Sequence, residues 1–196
     1  MAELVSKFGS FLSERGVSLD IEGPLVDQIA TYKDKEGNPL IANHDPVLVI
    51  GTDKKLSLVT RIKKQNPQKV VHVVESNLRR TNAASKNSSR YDNVFVYLGA
   101  YPDKVPPIIP QTKYCLVIFK HGINYVGPEN IEAFVGTARS NLTEDGLFVA
   151  SVAGVFNRDQ RVQQTFQEHN ITDFKTEPFK GSLGGTVFVF KALLNV

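Results

Sequence analysis

The sequence is poor in cysteine and lacks any long apolar run. Its 196 residues include one cysteine, Cys115, so no disulfide can form within the chain and a cysteine-based metal site is disfavoured. The four histidines are scattered without the spacing of metal ligands. No stretch approaches the ~20 apolar residues of a membrane span, and the first residues do not resemble a secretory signal. We therefore expect no metal, no membrane anchor and a cytoplasmic or other reducing compartment.

Extreme composition is also absent. Apolar residues make up 41% of the chain and charged residues 22%, which is typical of a globular domain with a sizeable core. The formal net charge is +3, a mildly basic balance that permits an acidic partner such as nucleic acid without requiring one.

The chain divides near residue 45. Apolar residues recur at helical spacing in residues 2–15, and a second short helix is predicted after Pro24. A polar segment with Gly37 and Pro39 follows. We therefore interpret residues 1–44 as an N-terminal helical cap segment and residues 45–196 as the main domain.

The main domain alternates between strand and helix patterns, which predicts an α/β fold. Apolar runs predict five strands, and a Pro-rich segment between the third and fourth predicts an irregular loop. The last two strand patterns are separated by a short Gly-rich link, too short for a crossover helix, so we expect an antiparallel hairpin. The predicted strands are 47–50, 70–75, 94–98, 114–119, 147–150, 174–179 and 186–190.

The turn after the first predicted strand is the most informative feature. The apolar run Val47–Ile50 ends in Gly51, and a helix-like segment follows. In an open α/β sheet, a nucleotide-like cofactor meets backbone N–H groups at this first turn. The turn has one glycine, however, where a cofactor-binding loop usually has two or three.

Five strands alternating with helices and closed by a hairpin resemble the fold of class I S-adenosylmethionine-dependent methyltransferases. The resemblance covers roughly residues 45–196 and depends on element order more than on motifs. It implies a Rossmann-like, mostly parallel sheet with a C-terminal antiparallel hairpin and helices on both faces. It also implies S-adenosylmethionine as the cofactor.

The resemblance assigns four cofactor-binding residues. Gly51 matches the first glycine of the family's loop, whereas Asp53 and Lys55 stand where the second and third glycines would be, so the loop is degenerate. For Asp53, capping of the following helix is an alternative role. Glu75 stands where the family's acid binds the two ribose hydroxyls, with a solvated strand-end carboxylate as the alternative. Asp103 matches the acid that contacts the adenine amino group.

The segment after the fourth strand is expected to bind substrate. It lacks both the Asn/Asp-Pro-Pro-aromatic motif of amino-group methyltransferases and the Lys-Asp-Lys-Glu set of ribose 2′-O enzymes. It is faintly similar to the corresponding segment of messenger-RNA cap guanine-N7 methyltransferases. This similarity implies that Lys120, His121, Asn124 and Tyr125 contact the substrate.

Two functions follow from these features. The first is a methyltransferase that uses S-adenosylmethionine and acts on RNA. The second is a catalytically inactive relative that binds or stimulates a partner protein or nucleic acid, which the degenerate loop favours. The sequence leaves both interpretations open.

Overall fold

A computed structural model describes residues 22–120, 123, 126–153, 158–178 and 185–192. The elements are α1 (Glu22–Ile29), β1 (Val47–Ile50), α2 (Ser57–Gln65), β2 (Val71–Glu75), α3 (Leu78–Ser88), β3 (Val94–Leu98), α4 (Ile108–Gln111), β4 (Tyr114–Lys120), α5 (Pro128–Ser140), β5 (Leu142–Ala153), α6 (Arg158–Glu168), β6 (Phe174–Pro178) and β7 (Gly185–Lys191). The predicted helix in residues 2–15 lies outside the described residues.

The strands of the described residues form a seven-stranded sheet in the order β3-β2-β1-β4-β5-β7-β6. Strands β1 to β5 pair in parallel with one another, whereas β7 is antiparallel to both β5 and β6. The predicted α/β class, the mostly parallel sheet and the antiparallel C-terminal pair are therefore confirmed.

Helices cover both faces of this sheet, as the sequence predicts. One buried apolar cluster joins β1 and β2 to side chains of α1, α2 and α3, and a second joins the opposite face to α5 and α6. Every residue of β1 and β2 is buried, which explains why these strands read as continuous apolar runs rather than alternating patterns. The N-terminal boundary at residue 44 stays a prediction, although Leu25 and Ile29 of α1 belong to the first cluster.

Two details of the predicted secondary structure were wrong. The Pro-rich segment is not entirely irregular, because it contains the single-turn helix α4 with Pro107 at its N-cap position. Proline is tolerated in a first helical turn, where its missing N–H would have no helical partner. Strand β5 begins at Leu142 rather than after Gly146, and its pairing with β4 shifts register between Tyr114 and Leu116.

Candidate functional site at the carboxyl ends of the strands

The candidate site lies where the strand order reverses. Strand β1 pairs with β2 on one side and with β4 on the other, and in open α/β sheets ligands bind beyond the carboxyl ends of strands at such a switch point. A cavity of about 700 Å³ opens here, within the usual size range of small-molecule sites. Its lining residues are Gly51, Thr52, Asp53, Lys54, Lys55, Arg80 and Lys120.

The turn after β1 has an unusual backbone. Gly51 has a φ of +76°, and a Cβ there would meet no atom within 4 Å. Glycine is therefore required by the backbone conformation and not by lack of space. Leu56, at the end of the turn, is also left-handed, with φ 55°, and is fully buried. A bulky residue in this region stores strain that surrounding packing must hold.

Asp53 lies three residues before Leu56, the N-cap residue of helix α2, and caps the helix from there by accepting a hydrogen bond from its first N–H. Its Oδ1 accepts hydrogen bonds from the backbone N–H of Lys55 at 2.9 Å and of Ser57 at 3.0 Å. Partial burial raises the pKa of Asp53, but hydrogen bonds from Ser57 and the nearby charge of Lys120 outweigh it, so the pKa lies below its usual value. The capping role considered for Asp53 is thus what the geometry shows.

Glu75 joins the two loops of the switch point. Its Oε2 accepts a hydrogen bond from the N–H of Thr52 at 2.9 Å, and its Oε1 accepts one from the N–H of Asn77 at 2.8 Å. Only 4% of the residue is exposed, so the alternative of a solvated strand-end carboxylate is wrong. Each oxygen retains one further acceptor position, but Glu75 is not among the residues that line the cavity.

Helix α3 brings a cation to the cavity. The Asn77 side chain caps this helix by accepting a hydrogen bond from the N–H of Arg80, which is the usual role of asparagine at this position. Arg80, the third residue of the helix, lines the cavity. Leu78, which begins α3, and Leu98, which ends β3, are 57% and 50% exposed, and neither is among the cavity's lining residues.

The predicted site residues separate into three groups. Gly51, Asp53 and Lys120 line the cavity, and Glu75 lies directly behind its wall. Asp103 is exposed in the turn after β3 and is not part of the lining. The predicted substrate residues His121, Asn124 and Tyr125 lie outside the described residues. The sequence patterns do not assign Lys54 or Arg80 to the site. The one signal for Arg80 is that it lies with Arg79, Lys86 and Arg90 in a basic stretch after the second strand.

Metal and membrane features are both missing from the part of the chain that the structure describes. Within the ranges given above, no group of three or more His, Cys, Asp or Glu side chains is placed to hold a metal ion. None of the described helices has both the length and the apolar character to cross a membrane.

Comparisons with known proteins agree on the fold. No protein-family model and no curated protein sequence matches the chain. Solved structures do match: human methyltransferase-like protein 13 in complex with SAH has a TM-score of 0.63 and 15% identity, over 89% of this chain and 85% of that one. A TehB-like SAM-dependent methyltransferase from Corynebacterium glutamicum has a TM-score of 0.60 and 14% identity, over 97% of both chains.

A third similar structure is the Methanococcus jannaschii fibrillarin pre-rRNA processing protein. Its TM-score is 0.56 and its identity 14%, over 79% of this chain and 70% of that one. At such identities the likeness is one of fold. This chain therefore has the class I methyltransferase fold.

Proposed function

We propose that this chain is an S-adenosylmethionine-dependent methyltransferase that acts on RNA. The observation that carries the proposal is the position of Glu75, whose carboxylate is fixed beside the Gly51 turn at the switch point of the sheet. The similar human structure contains SAH, which supports the choice of cofactor. The similar fibrillarin is a pre-rRNA processing protein, and the cations of the cavity suit a polyanion; both support RNA as the substrate.

The residues present fit the cofactor in part. Bound S-adenosylmethionine supplies a methyl group on a positively charged sulfur. The two open acceptor positions of Glu75 match the two ribose hydroxyls, and the exposed Leu78 and Leu98 offer apolar surface to a base. Asp53 is engaged in hydrogen bonds with the N–H groups of Lys55 and Ser57.

The burial of Glu75 predicts weak cofactor binding. Because only 4% of the residue is exposed, the turn from Gly51 to Lys55 must shift before hydroxyl groups can reach the carboxylate. Once the cofactor is bound, methyl transfer needs no dedicated base. A substrate nucleophile held in line with the methyl group reacts through proximity and electrostatics. Lys120 lines the cavity and is our proposed substrate contact there, with His121, Asn124 and Tyr125 following in the chain.

A second candidate function is a catalytically inactive protein that binds RNA or a partner subunit. The observation that favours it is the same closed site: Glu75 lies behind the cavity wall, and Asp53 and Lys55 carry side chains where the family has glycine. In this case the cavity would accept an anion but no cofactor.

Calorimetric titration with S-adenosylhomocysteine separates the two candidates. We expect weak but saturable binding, and we expect Glu75→Ala to weaken it by ~1.5–3 kcal/mol, the scale of hydrogen bonds to a charged group. Glu168→Ala is the matched control, since Glu168 is the same residue type, is exposed at the end of α6 and does not line the cavity. Because Glu75 also holds two backbone amides, thermal unfolding of each variant must establish that it is folded.

Two results would contradict the first candidate. Equal losses in Glu75→Ala and Glu168→Ala would remove Glu75 from the cofactor site and leave only a general charge effect. Folded wild-type protein that gives no heat with millimolar ligand would favour the inactive function.

A further inference from the structure

Four cations converge on the cavity from three different elements. Lys54 and Lys55 belong to the turn after β1, Arg80 to the first turns of α3, and Lys120 to the end of β4. We refer to these four residues as the cleft cations. The turn is fastened to α3, because the side-chain amide of Asn87 donates a hydrogen bond of 2.8 Å to the carbonyl oxygen of Lys54. Two of the three elements are thus held together around the cavity.

The charges of the cavity do not balance. Among the described residues that line it, Asp53 is the one carboxylate, and that carboxylate already caps α2 and lies near the charge of Lys120. Within the part of the chain that the structure describes, no ion pair joins Lys54, Lys55 or Arg80 to an acidic side chain. S-adenosylmethionine carries two positive centres and one carboxylate, so it adds positive charge instead of neutralising it. The cavity therefore presents an excess of positive charge, which favours a ligand with several negative charges.

We propose that the cleft cations bind the 5′-terminal phosphates of single-stranded RNA. The proposal deepens the function proposed above, because it names the part of the RNA substrate that enters the cleft. Arginine forms paired hydrogen bonds with phosphate oxygens, and lysine neutralises them as a point charge. These are the two residue types that surround the cavity.

The shape of the cluster favours a chain end over a chain interior. Proteins that bind internal nucleotides align their cations along an extended groove that follows the backbone. Here the cations surround a single cavity of about 700 Å³, which suits a compact group of high charge density. A terminal triphosphate carries such a charge on three adjacent phosphorus atoms.

The test measures binding of two short RNAs that differ only at the 5′ end. The full chain is titrated, without cofactor, into a 3′-labelled single-stranded RNA that carries either a 5′-triphosphate or a 5′-hydroxyl, and fluorescence anisotropy is recorded. We expect the triphosphate RNA to bind roughly tenfold more tightly or better at low salt, with a steeper salt dependence because more counterions are released. Arg80→Gln should remove most of this preference.

Arg79→Gln is the matched control. Arg79 precedes Arg80 in the same helix, is likewise exposed, and does not line the cavity. We expect its variant to keep the preference for the triphosphate. Equal losses in the two variants would overturn the cleft as the binding site, and equal affinity of the two RNAs for wild-type protein would overturn the terminal phosphates as the recognised group. Failure to bind either RNA would also overturn the proposal.

The RNA-binding measurement and the calorimetric titration with S-adenosylhomocysteine can fail separately. A chain that prefers triphosphate RNA but gives no heat with S-adenosylhomocysteine would retain the phosphate site and lose the methyltransferase function. A chain that binds S-adenosylhomocysteine and ignores the 5′ end would do the reverse.

Discussion

The two ends of the sheet differ in the burial of their positively charged side chains. At the amino ends of β1 and β2, Lys69 is 2% exposed, and its Nζ donates to the carbonyl oxygens of Leu40 and Asn43 and to Oδ1 of Asn43 at 2.8–3.1 Å. At the carboxyl ends, Lys54, Lys55 and Arg80 are exposed around a cavity. Positively charged side chains are thus buried at the amino end of the sheet and exposed to solvent around the cavity at the carboxyl end.

This difference separates structural cations from binding cations. An ammonium group has three donors, and those of Lys69 are all used within the protein, so it has none to offer a ligand. Lys63 is also buried and donates to the carbonyl of Lys69 and to Oδ1 of Asn93. Cys115 lies near the same end, and burial raises the pKa of its thiol to about 11, which makes it an inert core thiol. The amino end supports the fold, and the carboxyl end is free to bind.

The largest change in the free energy of unfolding is expected from a substitution at the amino ends of the strands. Lys69→Met should lower the free energy of unfolding by about 3 kcal/mol or more, because it leaves buried carbonyl oxygens without donors. Urea unfolding measures the change. Lys64→Met is the control, since Lys64 is exposed in α2 and should cost little. Equal effects of the two variants would show that the buried lysine is not structural.

A smaller effect is expected at the carboxyl end from loss of a helix cap. Asp53→Ala should cost about 1 kcal/mol at pH 7. The pKa of Asp53 is held below its usual value, so its contribution is present above the ordinary aspartate pKa of about 3.9 and is lost as the pH falls through the lower folded value. Urea unfolding at neutral and acidic pH should show the difference from wild type shrinking with acid. A variant as stable as wild type at pH 7 would contradict the capping role.

The sequence was sufficient for the fold and only partly for the site. The apolar runs identify β1 and β2 because both faces of these strands are buried, and the short link before β7 predicts its antiparallel direction. The sequence could not show that the Glu75 carboxylate is buried behind the cavity wall. That burial depends on hydrogen bonds from backbone N–H groups of two separate loops, at Thr52 and Asn77. Spatial convergence of Lys54 and Arg80 likewise depends on how α3 packs, which no local pattern encodes.

The central claim is that the cofactor binds at Glu75, at the carboxyl ends of the strands. Amide proton–nitrogen correlation spectra recorded during titration with S-adenosylhomocysteine test it most directly. The N–H groups of Thr52 and Asn77 donate to Glu75, so we predict that their resonances shift progressively while that of Lys69, at the opposite end, stays in place. Unchanged Thr52 and Asn77 resonances at millimolar ligand, or shifts confined to the amino end, would contradict the account.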